Sequence, residues 1–225
     1  MKTLIVVGHP ELADSQTQAF LKAAAGDRGR RHVLTAPFDP ASERQLLWQA
    51  DRIILQFPLY WYNVPAILKQ WLDQVFDDHL LGPAGDRLAG KELGAVVSLG
   101  RPLAEFGAGK RQGFSLDDYL RPLQGLARAT RMRWLPPLAI SQFAYQGPRD
   151  QAALLVAYQQ YLTLPQPASF ADRVNWFAAQ LARQAERAQG DQATRYAQLR
   201  ALLMQRQAEL SDLQDNLRLI KEGGQ

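Results

Sequence analysis

The stretch Gln56-Phe57-Pro58-Leu59-Tyr60-Trp61-Tyr62-Asn63-Val64-Pro65-Ala66-Ile67-Leu68-Lys69 constrains this chain more than any other. It follows the apolar run Ile53-Ile54-Leu55, which reads as a buried strand, and precedes Ile67-Leu68, Trp71-Leu72 and Val75-Phe76, which recur at helical spacing. It is therefore a strand-to-helix loop. Pro58 stiffens its entry, and Pro65 suits a first helical turn, where a missing N–H is harmless. In an open α/β sheet, loops at the carboxyl ends of strands are where ligands bind. A stiff loop carrying three successive aromatics is suited there to something flat. The residues alone also allow Tyr60, Trp61 and Tyr62 to be core aromatics that cap the sheet.

Strand and helix patterns alternate along the chain. Leu4-Ile5-Val6-Val7 is a short β-branched run that stops at Gly8-His9-Pro10; Thr17 to Ala25 then reads as a helix with Ser15 as its N-cap. Arg31 to Thr35 is a second strand and Ala41 to Ala50 a second helix. Lys91 to Gly100 is a fourth strand entering a glycine-containing turn, and Leu116 to Thr130 a helix interrupted by Pro122. Met132 to Ile140 is a fifth strand whose Pro136-Pro137 suits an edge or a bulge, and Pro148 to Leu164 a last helix. Residues His79 to Gly90, with three glycines and one proline, form a loop of the kind that folds over a site. Alternation with few hairpin signals implies parallel strands joined by right-handed crossovers.

A strand feeding a loop and then a helix N-terminus brings free N–H groups and the positive end of the helix dipole to the carboxyl edge, a favourable place for a phosphate. His9 with a ring N–H, Ser15 with its hydroxyl, and Gln16 and Thr17 with backbone amides are the candidate donors. Alone, His9 also reads as a turn residue and Ser15 as a helix cap.

The segment FPLYWYNVPAILKQWLDQVF, Phe57 to Phe76, resembles the flavin-ring loop and following helix of the NAD(P)H:quinone oxidoreductase family of flavodoxin-like proteins, including the ancillary oxidoreductase subunits of glutathione-gated potassium-efflux systems. The His-Pro-x-x-x-x-Ser loop at His9 and the Leu135-Pro136-Pro137 run are similar to the same family, and the resemblance covers roughly the first three-quarters of the chain. It implies an α/β, flavodoxin-like, doubly wound five-stranded parallel sheet of order 2-1-3-4-5. That order gathers the loops after strands one, three and four around one crevice. It also implies a flavin, with FMN favoured over FAD because residues for one phosphate and one ring are present and none for an adenosine, FAD remaining an alternative, and NADPH or NADH as cosubstrate.

By that resemblance His9, Ser15, Gln16 and Thr17 hold the phosphate, while Pro58, Leu59, Trp61 and Tyr62 wall the ring, with Tyr60 also binding the cofactor and Trp61 closest to the chemistry. Ser98, Leu99 and Gly100 stand where the family has a Thr-Gly-Gly-like turn, with Leu99 replacing a small residue. Phe106 falls near the place of a family tyrosine and Arg111 near that of a histidine. Phenylalanine donates no hydrogen bond, whereas Arg111 is a permanent cation able to stabilise negative charge, or else a solvated loop charge.

With no cysteine among 225 residues, disulfides, thiolate metal sites and a cysteine nucleophile are excluded, and no metal cluster or catalytic triad is apparent. The apolar run at the N-terminus is too short for a signal peptide and no segment approaches a membrane span, so a cytoplasmic protein is expected. The net charge of +4 comes from scattered basic residues, which argues against nucleic-acid binding.

Composition changes after residue 168. All 13 prolines lie at or before Pro167, and from Phe170 to Glu222 Gly190 is the one glycine. We expect a flavin-binding domain over 1–168 and a helical extension over 169–225, with helices Phe170 to Gln189 and Asp191 to Glu222 forming a hairpin or coiled coil. Positions 196, 199, 203, 206, 210, 213, 217 and 220 follow a 3,4 spacing interrupted by Arg206. This seam predicts self-association or a partner.

Two functions follow. One is an NAD(P)H dehydrogenase of the quinone type, passing two electrons to a quinone-like acceptor, working as a homodimer. The alternative is a regulatory flavodoxin-like subunit bound to a potassium-efflux transporter or other partner, peripheral to the inner face of the membrane, with redox activity secondary.

Overall fold

The computed structural model describes residues 1–77, 80 and 87–223, with side chains described through Leu217. The chain divides into two compact units, Met1–Gln166 and Pro167–Gln225.

The first unit is built on β1 (Thr3–Val7), β2 (Arg30–Val33), β3 (Arg52–Pro58), β4 (Glu92–Leu99), β5 (Arg133–Trp134) and β6 (Leu138–Ser141). The order β2-β1-β3-β4-β5 is the doubly wound one, every pairing is parallel, and β6 also pairs β4. One fifth strand was expected and two occur. Pro136 and Pro137 have no N–H to give the ladder, so pairing to β4 stops after Leu93↔Trp134 and resumes at Val96↔Leu138 with one extra residue on the outer strand. The sheet therefore has six strands rather than five.

Side chains alternate across it. Leu4, Val6, Ile53, Leu55, Phe57, Leu93, Ala95 and Val97 face a core closed by α2 (Pro40–Gln49), α3 (Ala66–Val75), α4 (Leu116–Tyr119) and α5 (Arg121–Ala129), with Leu47, Leu68, Trp71 and Leu123 in it. Ile5, Val7, Ile54 and Val96 face the other core, closed by α1 (Gln16–Ala25) and α6 (Pro148–Thr163) through Leu21, Leu154, Tyr158 and Leu162. The helix expected over Leu116–Thr130 is two. Ser115 and Asp118 form a capping box on α4, and Pro122 at the start of α5 suits a first turn, where its missing N–H would have had no acceptor.

Most of the loop expected to fold over the site, residues 79 and 81–86, lies outside the described residues. Its described end, Arg87 to Gly90, leads into the amino end of β4, with the Arg87 guanidinium 4.3 Å over the Trp48 ring. That is the sheet edge opposite the carboxyl ends of the strands.

In the second unit α7 (Phe170–Arg187) and α8 (Asp191–Gly223) form a helical hairpin turned at Gly190, whose φ is 58°. Ser169 and Asp172 close a capping box on α7. Of the expected seam, Tyr196 and Leu203 are half-buried, whereas Leu199, Arg206, Leu210, Leu213 and Leu217 are exposed; the Ile220 side chain lies outside the described residues.

Candidate flavin site

Three strands deliver the site. At the exit of β1 the Gly8 N–H donates to the Gln56 carbonyl at 3.0 Å, and a Cβ on Gly8 would stand 2.7 Å from Leu68 Cβ. Only glycine lets α3 approach so closely. His9 follows. Its Nδ1 accepts the Glu11 N–H at 3.1 Å, so the neutral ring carries its proton on Nε2. Burial holds the His9 pKa below its ordinary value, against the opposing pull of the Glu11 carboxylate. His9 is thus a neutral donor at pH 7.

Ser15 caps α1, its Oγ accepting the Gln18 N–H at 3.3 Å. The N–H groups of Gln16 and Thr17 in that first turn have no intrahelical acceptor and point with the positive end of the dipole to the carboxyl edge. Beneath them Gln56 Nε2 donates to Gln18 Oε1 at 2.6 Å and the Tyr158 hydroxyl donates to Gln56 Oε1 at 2.7 Å, a buried chain that ties α1, β3 and α6 together. Burial pushes the Tyr158 phenol well above its ordinary range, so it stays a donor.

β3 leaves through Pro58 into a tight turn. Tyr60 and Asn63 exchange N–H···O bonds of 3.1 and 3.0 Å, and the two residues between them, Trp61 and Tyr62, both have positive φ, 46° and 66°. This is the geometry of a type I′ turn, which normally takes glycine or asparagine. Two aromatics held there store roughly 1–3 kcal/mol each, a cost that persists where the fold has a use for the conformation. Pro65 sits at the N-cap of α3 rather than inside its first turn, and Asn63 Oδ1 accepts the Val64 N–H at 2.8 Å. Trp61 is 93% exposed and Tyr60 and Tyr62 about half, so the three are not core aromatics capping the sheet.

The three loops are stapled by main-chain bonds: Leu59 N–H to the Ser98 carbonyl at 2.9 Å, and Gln142 N–H to the Leu99 carbonyl at 2.8 Å. Between them lie two adjoining hollows. One, of about 340 Å³, is lined by His9, Ser15, Thr17, Pro58, Leu59, Tyr60, Ser98, Leu99 and Gly100, together with Gln142 to Tyr145. The other, of about 440 Å³, is lined by Leu59, Trp61, Tyr62, Leu99, Gly100, Arg101, Phe106, Arg111 and Gln112. Leu59, Leu99 and Gly100 border both, so the pair makes one trough from the start of α1 to the aromatic turn. Every residue expected at the site borders it except Gln16, which is exposed at the first position of α1. Pro58 belongs to the helix end of the trough, not to the ring wall where it was expected.

Several bordering residues escaped the sequence reading. Gln142 to Tyr145 follow β6, and the parallel order brings that loop to the crevice as surely as the other three; the aromatic Phe143-Ala144-Tyr145 was the available signal. Tyr119, on α4, organises the far wall: Tyr62 stacks on its ring at 5.0 Å and 25°, Phe106 and Phe114 meet it edge-on at 6.0 and 6.1 Å, and its hydroxyl donates to the Gln112 carbonyl at 2.8 Å. Arg101 and Arg111 stand exposed on the rim, with no acidic partner in ion-pair range among the described residues.

The donor set fits FMN. A neutral His9 Nε2–H, the Ser15 hydroxyl and Thr17 border one hollow, which suits a phosphate, and Leu59, Trp61, Tyr62, Leu99 and Gly100 border the other, whose aromatic lining suits a ring. A further hollow of about 360 Å³ at the amino edge, bordered by Lys2, Arg28, Arg30, Gln49 and Ala50, lies at the opposite end of the strands from the loops that carry the trough.

Known proteins are similar to this chain. The ancillary protein KefG of the glutathione-regulated potassium-efflux system of Salmonella gallinarum is 34% identical over 172 residues, 73% of this chain and 94% of KefG. A crystal structure described as an NADPH-quinone reductase from P. pentosaceus superposes with a TM-score of 0.71 at 48% identity, over 73% of this chain and 99% of that one. The general stress protein 14 of Treponema denticola, solved in complex with FMN, does so at 0.65 and 32% identity, over 72% and 100%. The family model Flavodoxin_2, described as a flavodoxin-like fold, matches residues 1–164. This chain belongs to that family.

Proposed function

We propose that this chain is an FMN-dependent NAD(P)H oxidoreductase that delivers two electrons to a quinone or a similar acceptor. The observation that carries the reading is the continuous trough, with phosphate donors at the α1 end and a flat hollow between the aromatic turn and the Gly100 loop. FMN, when bound, supplies the hydride-accepting and electron-donating chemistry. The protein's part is to hold and orient it. His9 Nε2–H, the Ser15 hydroxyl and the amide of Thr17 bind the phosphate. Leu59, Trp61 and Tyr62 wall one side of the ring hollow, and Leu99 and Gly100 the other. Arg111, with Arg101 beside it, places positive charge where electron transfer develops negative charge. Donor and acceptor share one open hollow and so take turns in it, which is a ping-pong cycle. No acid, base or nucleophile of the protein is required.

The reductase from P. pentosaceus and the FMN complex of the stress protein support this reading. The trough has one phosphate end and one ring end, which suits FMN rather than FAD. No described helix is long and apolar enough to cross a membrane. We further propose a cytoplasmic homodimer, with 1–168 as the flavin domain and 169–225 as the helical extension.

One observation favours a second reading. The likeness to KefG, by its name an ancillary protein of a potassium-efflux system, supports a regulatory subunit bound to a membrane transporter. The test is an absorbance spectrum after incubation with excess FMN and desalting, followed by NADPH oxidation with a quinone. Retained flavin bands and quinone-dependent turnover are expected. Flavin retained without oxidation of either nicotinamide would favour the regulatory reading, and a colourless protein with both FMN and FAD would sink the first.

A further inference from the structure

The exposed leucines of α8 form a second seam, distinct from the face turned to α7. Along the helix, Ala193, Tyr196, Leu203 and Gln207 are the half-buried side, whereas Leu199, Leu202, Leu210, Leu213 and Leu217 stand 45–59% exposed. At about 100° per residue these five leucines and Arg206 fall within a stripe roughly 80° wide, about a quarter-turn from Tyr196 and Gln207. An isolated solvated helix has no use for such a stripe.

Between Leu199 and Leu213 the stripe reads the same in both directions. From Arg206 it steps back to Leu202 and Leu199 and forward to Leu210 and Leu213 through identical intervals of four and three residues, and four residues further on Arg195 corresponds to Leu217. Eleven residues in three turns, 3.67 per turn, keep it straight along the helix without left-handed supercoiling. A two-fold axis through Arg206 therefore lays Leu199 against Leu213 of a second copy, and Leu202 against Leu210. That is the requirement for an isologous antiparallel pair, in which one surface complements itself.

Two further observations fit a second copy better than a different protein. Arg206, the one charge on the stripe between Leu199 and Leu217, is paired to Glu209 at 2.7 Å on its own helix, so two copies meeting at the axis bring together two arginines and two glutamates with no net charge. A polar residue at one position of an apolar seam sets register and orientation. Helix length also matters. With 18 residues α7 spans roughly 27 Å, whereas α8, with 33, spans roughly 50 Å. Counting back from the Gly190 turn, α7 has no residues left to oppose α8 beyond about residue 208. Leu210, Leu213 and Leu217 thus lie on a stretch with no helix across from it in this unit, and a solitary helical segment of that length is marginal in water.

We propose that α8 is a self-association surface, on which two copies pair antiparallel about Arg206 and bury Leu199, Leu202, Leu210, Leu213 and Leu217. This rests on the homodimer proposed above only in requiring two copies, and it places the contact in the helical extension.

The native chain has no cysteine, which makes the test free of background. In the full chain, Arg206→Cys should oxidise to a disulfide-linked dimer by itself. Leu199→Cys and Leu213→Cys should each remain largely uncrosslinked alone and crosslink when mixed. Leu210→Glu, at an exposed position, should shift the chain from dimer to monomer in light scattering while FMN binding stays within about twofold. A dimer in which Arg206→Cys fails to crosslink would overturn the surface and leave the homodimer standing, as would self-crosslinking of Leu199→Cys, the mark of parallel pairing. A monomer at all concentrations would overturn both, and a retained FMN spectrum in either case separates that failure from failure of the flavin site.

Discussion

A single histidine carries the electrostatics at the phosphate end. His9 is neutral because burial opposes its charging, and the Glu11 N–H on Nδ1 directs its proton to Nε2. Its folded pKa is lowered, so as pH falls through its ordinary value of 6.5 the unfolded chain takes up the proton first. Stability of the apoprotein therefore falls as pH drops below the ordinary histidine value of 6.5, and His9→Gln should flatten that part of the Tm profile. FMN acts oppositely, since a phosphate dianion favours the imidazolium. Replacing His9 with Ala should raise the FMN Kd roughly tenfold to a hundredfold, the range for losing a hydrogen bond to a charged group, and fluorescence titration of the flavin reads it. Trp61 makes a different case. Its positive φ is strain that glycine would relieve, so Trp61→Gly should raise stability by about 1 kcal/mol in denaturant unfolding while quinone turnover falls severalfold. A loss of stability in that variant would show that the indole packs in a way its 93% exposure denies.

At the scale of elements, the amino edge of the sheet is held by Arg52, which is wholly buried. Its Nε donates to Glu92, its Nη1 to the Tyr161 carbonyl, and its Nη2 to the Leu164 carbonyl at 2.7 Å, so that one guanidinium binds β3, β4 and the end of α6. Arg52→Ala would leave Glu92 half-paired and two carbonyls short of a donor, a loss of about 3–5 kcal/mol measurable by urea unfolding. That lock could not be read from the sequence, because Asp51-Arg52 before an apolar strand looks like an ordinary solvated turn. The strands themselves were legible: alternation of short β-branched runs with helical periods leaves few arrangements for a parallel sheet. The aromatic turn was legible as a site because prolines bracket it, though not its I′ geometry, which defies turn preferences. Pro136-Pro137 announced a disruption without saying that pairing would resume beyond it. The heptad seam drawn through α8 divides between two degrees of burial, because one helix presents more than one face: Tyr196 and Leu203 are half-buried, whereas Leu199, Arg206, Leu210, Leu213 and Leu217 are exposed.

Over the whole molecule, the two units divide the proposed work. Every residue bordering the trough lies between His9 and Tyr145, and both cores of the sheet close within Met1–Gln166. The stripe on α8 lies wholly in Pro167–Gln225. A chain ending at Gln166 should therefore keep its flavin bands and quinone-dependent NADPH oxidation within about twofold, since no donor to the phosphate and no wall of the ring hollow is removed. The same chain should lose the α8-mediated pairing and run as a smaller species in light scattering. If flavin leaves with the helices, the trough is not self-sufficient and the extension contributes to it. If flavin stays and the dimer also persists, the pairing surface belongs to the flavodoxin-like unit, and the leucines of α8 are free for a transporter of the kind KefG is named for.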